Sequence, residues 1–322
     1  MADLYLGIDV GGTKSLLVTL DPASPVTPAM AGHRARRAAT PRGAIEQRAL
    51  VDHLAHLVVD EVAAAGRDGD RIVAVGIGMP GLVSREGVLR AAPNLDGVGD
   101  LDVAGGLAAV VDLPVLVDND ATCATLAEWR HGAGRGADDI VVVALGTGIG
   151  GGVIAGGELQ HGAQGFAGEF GHMIVDPLGW ECPCGRRGCW ERYASGSALP
   201  ALARAHPDLA HSALAAALAT GLTGEQMQDA ARAGDRVAID VFATFARWVA
   251  VGLSNLTNLL DPDRIVIAGG VSSSADLFLA AVRDAVGGLV YQPERRRLPD
   301  IVPAEFGEHA GAVGAALLCV VA

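Results

Sequence analysis

The chain of 322 residues is short of positive charge: it has 24 Lys plus Arg against 37 Asp plus Glu, and its formal net charge is −13. Lys14 is its only lysine. A surface that binds nucleic acid or an anionic membrane needs a basic face, because phosphate groups dominate that attraction. The charge balance therefore argues against both partners, and we expect the partner to be a small molecule.

Long apolar runs are missing too. No uncharged apolar run has the roughly 20 residues that span a bilayer. Asp3 stands where a signal peptide carries positive charge, and residues 4–10 are too short for its apolar part. We therefore expect a cytoplasmic protein without a membrane segment. Hydrophobic residues still make up 50% of the chain, with mean hydropathy +0.34, which is enough core for two domains that share a cleft.

Cysteine is scarce, but three of the five cysteines stand close together beside a histidine. The pattern H-x9-C-x-C-x4-C has the ligand set of a structural zinc site, and Gly185 and Gly188 permit the tight turns that it needs. The predicted ligands are His172, Cys182, Cys184 and Cys189.

Ordinary thiols or a single disulfide are the alternative interpretation of these cysteines. An odd number leaves one unpaired, and Cys182 and Cys184 are separated by one residue, which strains a direct bridge. Zinc is therefore the better interpretation. Glu169 and Glu191 flank the cluster, which suggests a site where a polar substrate is held rigidly beside the metal.

Two glycine-rich hairpins predict a duplicated architecture. Residues 4–10 read as a strand that runs into a turn at Gly11 and Gly12, with a return strand over 16–20. Residues 140–145, the turn 146–152 and the return over 153–155 repeat this arrangement. We expect each hairpin in one half of the molecule, with their backbone N–H groups facing one another across a cleft.

The remaining periodicity indicates an α/β fold with a mixed sheet. Predicted strands cover 72–77, 115–117 and 264–268. Predicted helices cover 44–66, 120 or 121 to 131, a helical block over 197–260, about 275–286, and a last helix from about 308.

The hairpin turns favour nucleotide binding. A Gly-Gly-Thr turn lacks Cβ atoms, offers successive N–H donors and adds a hydroxyl, so it can approach a polyphosphate closely. Thr13 and Thr147 take equivalent places, and Asp9 could hold Mg²⁺ beside the phosphates. Tight hairpins with ordinary polar residues are the alternative for either turn alone.

Two better-known nucleotide motifs do not fit. Residues 76–81 and 146–151 both match G-x-G-x-x-G, but 146–151 is followed by a strand and a turn, not by the helix that a dinucleotide site requires. The Walker A pattern also fails, because Lys14 follows Thr13 and not a glycine.

Asp118, Asn119 and Asp120 lie between a predicted strand and a predicted helix. Either aspartate could simply be a helix N-cap. In a kinase, however, a carboxylate accepts the proton of the attacking hydroxyl, and a neighbouring amide can hold the adjacent hydroxyl. Asp120 and Asn119 suit these two tasks.

Together these residues resemble the ROK family of sugar kinases, and most closely its bacterial ATP-dependent glucokinases, over nearly the whole chain. The resemblance depends on DVGGTK (9–14), PGLV (80–83), APNL (92–95), NDA (119–121), LGTGIGGG (145–152), GEFGHM (168–173), CPCGRRGCWE (182–191) and LDPDRIVIAGGV (260–271). The zinc segment is the most specific of these.

The resemblance implies a two-domain actin-like ATPase fold, of the ribonuclease H-like type, with a cleft between the domains and a structural zinc loop. Its domains would be 1–119 plus 308–322, and 120–307. It implies phosphorylation of the 6-hydroxyl of glucose by ATP with Mg²⁺, a structural Zn²⁺, and a homodimer or homotetramer.

The resemblance also implies residue roles. Asp120 would be the catalytic base, and Asn94, Asn119, Glu169, His172 and Glu191 would bind the sugar hydroxyls. The turn residues Gly11, Gly12, Thr13, Lys14, Gly146, Thr147 and Gly148 would bind the phosphates, Asp9 would help to place Mg²⁺, and Gly269 and Gly270 would line the adenosine pocket. His172 would bind zinc through one ring nitrogen and the sugar through the other.

Some positions and functions stay open. Val98 stands where glucokinases often carry a tryptophan, and we interpret His131 and His161, which have no motif neighbours, as surface or structural residues. A kinase for N-acetylglucosamine, N-acetylmannosamine, mannose or fructose is one alternative, and polyphosphate is an alternative donor. A sugar-sensing repressor is disfavoured because the first strand begins at Leu4, and a non-catalytic sugar-binding protein because Asp9 and Asp120 are present.

Overall fold

The computed structural model of the protein describes residues 1–33, 35–41, 47–92, 95, 97–219 and 221–321. The chain forms two compact units. Unit 1 contains Met1–Asp138, Gly152–Gly168 and Glu305–Ala322, and unit 2 contains Asp139–Gly151 and Glu169–Ala304. The predicted domain limits of 1–119 plus 308–322 and 120–307 stay a prediction. The compact units have other limits, because the helix after residue 119 packs against the last helix of the chain.

Thirteen strands and ten α-helices make up the regular structure of the described residues. The strands are β1 (Asp3–Val10), β2 (Lys14–Leu20), β3 (Ala35–Ala39), β4 (Arg71–Met79), β5 (Leu82–Val83), β6 (Val88–Ala91), β7 (Leu101–Asp102), β8 (Val115–Asn119), β9 (Ile140–Leu145), β10 (Ile149–Ala155), β11 (Glu158–Leu159), β12 (Arg264–Ala268) and β13 (Asp300–Pro303). The helices are α1 (Pro28–His33), α2 (Gln47–Arg67), α3 (Val103–Val111), α4 (Asp120–His131), α5 (Glu191–Ala194), α6 (Ala198–Arg204), α7 (Gly224–Arg232), α8 (Arg236–Leu260), α9 (Ala275–Leu289) and α10 (Ala310–Val321).

Unit 1 contains a five-stranded sheet in the order β3-β2-β1-β4-β8. β2 pairs antiparallel with β1 and β3, whereas β1, β4 and β8 are parallel. One face packs apolar side chains against α2 and α3, and the other packs against α4 and α10. The approach of α10 is close: a Cβ built on Gly76 would overlap the backbone carbonyl of Ala315. Glycine at this position therefore lets the helix lie against the strand.

The second sheet repeats this arrangement in the order β11-β10-β9-β12-β13. β12 is parallel to both β9 and β13, and β11 is antiparallel to β10. The equal strand orders agree with the predicted duplicated architecture, and the fold is α/β with mixed sheets, as predicted. β5, β6 and β7 form a separate small sheet that the sequence analysis did not predict.

Some element limits differ from the predicted ones. The second return strand begins at Ile149 and not at residue 153, because the Gly146 N–H donates to Gly148 O at 2.9 Å and closes the turn early. The helical block over 197–260 is divided into α6, α7 and α8 with 3₁₀ turns between α6 and α7. Residues 44–46 of the predicted helix 44–66 lie outside the described residues, and α2 begins at Gln47.

Helix α8 is the longest helix of the described residues, and it is long and apolar enough to cross a membrane by length and composition alone. Of its most apolar 18-residue window, 61% is buried inside the protein. It packs against α9, α6 and α7, so we interpret it as the core helix of unit 2.

Candidate active site and metal centre

The first hairpin presents its turn to solvent. The Gly11 N–H donates to Lys14 O at 3.0 Å, which closes the turn between β1 and β2. Thr13 is exposed at the tip, and the ammonium group of Lys14 lies 3.0 Å from Glu308 Oε2. A short exposed glycine turn with a hydroxyl at its tip can approach a phosphate chain.

Two carboxylates of unit 1 influence one another. Asp9 is the second-to-last residue of β1, and Asp120 is the first residue of α4. Burial and, second, the charge of Asp120 raise the pKa of Asp9 to about 7, while the charge of Lys14 opposes the rise. One of these two close carboxylates resists ionisation, and a hard divalent cation would stabilise the charged form of both. The two residues therefore fit the predicted Mg²⁺.

Asn119 is the N-cap of α4, and neither neighbouring aspartate takes that place. Its Oδ1 accepts the N–H groups of Ala121 and Thr122 at 2.9 and 3.0 Å. Its Nδ2 donates to Gly81 O at 2.9 Å, and within the described part of the chain the second amide hydrogen is available for a ligand. Asp120 Oδ1 accepts the Ala121 N–H at 2.8 Å. Asn119 and Asp120 are therefore held by the start of a helix, whose positive end favours a carboxylate.

Two further predicted features belong to the segment after β6. Asn94 lies outside the described residues, so its predicted sugar contact stays a prediction. Val98, at the position where glucokinases often carry tryptophan, is 7% exposed and belongs to the core of unit 1.

The second hairpin is tied to helix α5 of its own unit. Glu191, the first residue of α5, accepts the Ile149 N–H through Oε2 at 3.0 Å. Gly146 O accepts the Gly196 N–H at 2.7 Å, and Thr147 O accepts the Ser197 hydroxyl at 2.8 Å. The turn at Gly146–Gly148 is thus positioned by side chains and backbone that follow the zinc segment.

Unit 2 brings together three of the predicted sugar-binding residues. His172 ends a 3₁₀ turn, Phe170–His172, and its Nε2 lies 3.9 Å from Glu169 Oε2. Loss of solvation raises the pKa of the Glu169 carboxyl, the charge of Glu191 adds to this, and His172 opposes it. The carboxyl groups of Glu169 and Glu191 are therefore close enough to interact. Their contact with a sugar stays a prediction.

The four predicted zinc ligands converge. The ligand atoms of His172, Cys182, Cys184 and Cys189 all lie within 4.8 Å of one another, and Sγ of Cys184 is 3.6 Å from Sγ of Cys189. Tetrahedral zinc with Zn–S bonds of about 2.3 Å places two sulfurs about 3.8 Å apart. The donor set and its spacing therefore fit a structural Zn²⁺, which would cross-link a segment that contains two isolated β-bridges, Ile174 with Cys189 and Glu181 with Arg187, and no named strand.

Trp190 is a site residue that the sequence analysis missed. It stands between the zinc ligand Cys189 and Glu191, and it is fully buried. Its indole N–H donates to Trp248 O at 2.7 Å, and a Cβ built on Gly252 of α8 would overlap its ring. Trp190 thus anchors the start of α5 on α8. The sequence feature that could have predicted this role is the position of a large aromatic residue between a predicted zinc ligand and a predicted sugar-binding residue.

The last predicted turn follows β12. Gly269 has φ +80°, and its carbonyl accepts the N–H of Ser272 at 3.0 Å and the Ser272 hydroxyl at 2.7 Å. Gly270 is exposed at the start of a 3₁₀ helix. This turn has the conformation that glycine favours, and its adenosine contact stays a prediction.

The comparison with known families agrees with these features. The ROK family model matches residues 5–321. The chain belongs to the ROK family. The resemblance found in the motifs is thereby confirmed, and so is the ROK kinase fold.

Known ROK proteins resemble this chain along nearly its whole length. The glucokinase of Streptomyces coelicolor is 38% identical over 320 residues, which cover 97% of this chain and 96% of that protein. A crystal structure of the ROK family glucokinase from Streptomyces griseus in complex with glucose and AMPPNP has a TM-score of 0.80 and 37% identity, and covers 98% of each chain. The N-acetylgalactosamine kinase of a Shewanella species is 32% identical and covers 98% of this chain and 96% of that protein.

Proposed function

We propose that this ROK protein is an ATP-dependent glucokinase that phosphorylates the 6-hydroxyl of glucose. The observation that carries the proposal is its full-length similarity to glucokinases, one of which has been crystallised with glucose and an ATP analogue. The kinase motifs at both glycine hairpins and the carboxylate at the start of α4 support the same reaction.

In the proposed reaction, O6 of the sugar attacks the γ-phosphorus in line, the bond from that phosphorus to the β,γ-bridging oxygen breaks to release ADP, and Asp120 accepts the proton of the sugar hydroxyl. Asn119 offers its second amide hydrogen to a neighbouring hydroxyl, because its other polar atoms are bonded to Ala121, Thr122 and Gly81. Asn94, Glu169, His172 and Glu191 would bind the other hydroxyls of the sugar.

The two glycine turns would bind the phosphates, through Gly11, Gly12, Thr13 and Lys14 in unit 1 and Gly146, Thr147 and Gly148 in unit 2. Mg²⁺ would neutralise phosphate charge, and Asp9 is the residue that would help to hold it. Gly269 and Gly270 would line the adenosine pocket. Zn²⁺ would have a structural role in ordering the segment that carries His172 and Glu191.

The identity of the hexose is the finer part of the proposal. The 32% identity to an N-acetylgalactosamine kinase gives a second sugar class to test. We also propose a cytoplasmic homodimer or homotetramer that uses ATP and not polyphosphate, because these properties accompany the family resemblance.

The test is an ADP-release assay with Mg-ATP and a panel of sugars: glucose, mannose, fructose, N-acetylglucosamine, N-acetylmannosamine and N-acetylgalactosamine. Glucose should give the highest kcat/KM. The control 6-deoxyglucose should give no ADP above background, because it lacks the acceptor hydroxyl. No ADP with any of these sugars would contradict the kinase proposal, and a higher kcat/KM for an N-acetyl sugar would contradict the assignment to glucose.

A further inference from the structure

His161 is hydrogen-bonded to Asp118, the residue before the proposed sugar-binding Asn119 and the proposed base Asp120. It follows β11 in unit 1, and its Nε2–H donates to Asp118 Oδ2 at 2.8 Å. Asp118 is 7% exposed at the end of β8, whereas the His161 side chain is 32% exposed. The hydrogen bond to Asp118 raises the pKa of the His161 imidazole, against the opposing effects of burial and Arg85.

A continuous series of hydrogen bonds leads from this imidazole to the first turn of α4. Asp118 Oδ1 accepts the Asn119 N–H at 2.7 Å, while its Oδ2 is bonded to His161. Asn119 Oδ1 in turn accepts the N–H groups of Ala121 and Thr122. Asp120 stands in the sequence between Asn119 and Ala121, so the bonds of these two residues also fix its backbone.

The surroundings explain why Asp118 needs a donor. After burial itself, the charges of Asp118, Asp9 and Asp120 all raise the pKa of the buried Cys123 thiol, so three carboxylates lie around one thiol. Asp118 Oδ1 is bonded to the Asn119 N–H, so His161 is the donor that fixes the second carboxylate oxygen, Oδ2. His161 supplies the proton donor that holds Asp118 in place.

The segment that carries His161 is itself anchored within unit 1. The guanidinium of Arg85 donates to Gly162 O through Nε and Nη2, at 2.8 and 2.6 Å. The Ala167 N–H donates to His161 O at 3.1 Å. These bonds hold the imidazole beside β8, where it forms part of the wall of a cavity of about 240 Å³ together with Val83 and Val117.

We propose that His161 is a positioning residue for phosphoryl transfer, which acts by holding Asp118 and thereby fixing Asn119 and Asp120 at the start of α4. The inference rests on the proposed function, because only there is Asp120 the base. It differs from the sequence interpretation of His161 as a surface or structural residue, since it predicts an effect on the chemical step.

The first test compares two variants that place a side-chain amide at different distances from the backbone. His161→Gln places an amide N–H near the position of Nε2 and keeps the bond to Asp118, whereas His161→Asn places it near Nδ1 and loses that bond. We expect His161→Asn to lower kcat by about 10- to 100-fold with little change of the KM for glucose, since a small misplacement of a catalytic group costs rate. His161→Gln should stay within about threefold of the wild-type kcat, on the same argument that it keeps the donor. The matched control is His206→Asn in unit 2, a histidine whose Nε2 lies 3.9 Å from Asp240 Oδ2, and it should leave kcat unchanged.

The second test does not use activity. Hydrogen exchange of the Ala121 and Thr122 amides should be faster in His161→Asn than in wild type and in His161→Gln, while amides in the second half of α4 should not change. Equal kcat values for the two His161 variants, or unchanged exchange at Ala121 and Thr122, would overturn the inference. A wild-type protein that phosphorylates no sugar would overturn the proposed function alone, because the exchange measurement still decides whether His161 holds the turn.

Discussion

The two units hold their functional carboxylates by different means. In unit 1, Asp9 and Asp120 lie at the end of a strand and the start of a helix, so regular secondary structure positions them. In unit 2, Glu169 and Glu191 border a segment with little regular structure, and the links there are the Cys3His cluster and the buried Trp190. A site on regular elements needs no cross-link, whereas a site on an irregular segment needs one to reach comparable precision.

The two hairpins show the same difference on a smaller scale. When Thr13 and Thr147 are aligned, Asp9 on β1 corresponds to Val143 on β9. The first hairpin thus has its own carboxylate, and the second takes one from helix α5, because Glu191 accepts the Ile149 N–H. We therefore expect substitutions in unit 1 to act on chemistry and charge, and substitutions in unit 2 to act on binding and order.

The largest expected effect is a difference in kinetic behaviour between carboxylate substitutions in unit 1 and in unit 2. Asp120→Asn should lower kcat by about 10² to 10⁴-fold, because the amide cannot accept a proton. Glu191→Gln should mainly raise the KM for glucose, because it removes a binding contact and not the base. Steady-state kinetics measure both, and Asp112→Asn, at an αL helix end that asparagine tolerates, is the control. A normal kcat in Asp120→Asn would falsify its role as base.

Metal removal should affect the stability of unit 2. Chelation, or Cys184→Ser, should release zinc and lower Tm by about 5 to 10 °C, because the irregular segment loses its cross-link. Activity should decline slowly as that segment loosens. Metal analysis, calorimetry and a time course of activity measure these effects. Immediate and total loss of activity without any change in Tm would instead indicate a catalytic metal.

The pH dependence of stability should report on Asp9. Because the pKa of Asp9 is about 7 in the folded protein, against 3.8 for an unperturbed aspartate carboxyl, the unfolded chain releases this proton first as the pH rises. Its contribution to stability is therefore present below pH 4 and is lost as the pH rises to and above 7. Without added Mg²⁺, Asp9→Asn should be more stable than wild type at pH 8 by on the order of 4 kcal/mol, and equally stable near pH 4.

Urea unfolding at several pH values measures this difference, and Asp52→Asn, an exposed aspartate on α2, serves as the control. Mg²⁺ should reduce the difference at pH 8 by binding the ionised carboxylate of the wild type. A difference in stability that does not change between pH 4 and pH 8 would exclude the raised pKa.

The smallest expected effect concerns the anchor of Glu191. A Cβ built on Gly252 would overlap the rigid, buried ring of Trp190. Gly252→Ala should therefore destabilise the protein by about 1 to 3 kcal/mol and raise the KM for glucose. On α9, Gly288 has nothing within 4 Å of an added Cβ, so Gly288→Ala should stabilise by about 0.5 to 1 kcal/mol. Equal unfolding midpoints for the two variants would contradict the role of Trp190 as an anchor.

Much of the fold follows from local sequence. The alternation and glycine turns of residues 4–20, the apolar run 264–268 and the helix after Asn119 correspond closely to β1, β2, β12 and α4. The zinc ligands could also be predicted, because three of them lie within eight residues of one another. Such features depend on neighbours along the chain, where spacing alone limits the geometry.

Other features depend on contacts that spacing does not reveal. Asp118 and His161 are 43 positions apart, and Trp190 and Trp248 are 58 apart. The early start of β10 at Ile149 likewise depends in part on Glu191, which is 42 residues away. The chain therefore specifies its strands, turns and ligand types by local pattern, because propensity and periodicity act over a few residues. The tertiary structure decides which buried donor bonds to which acceptor. A buried polar group without a partner is costly, and its partner comes into reach only when distant segments pack together.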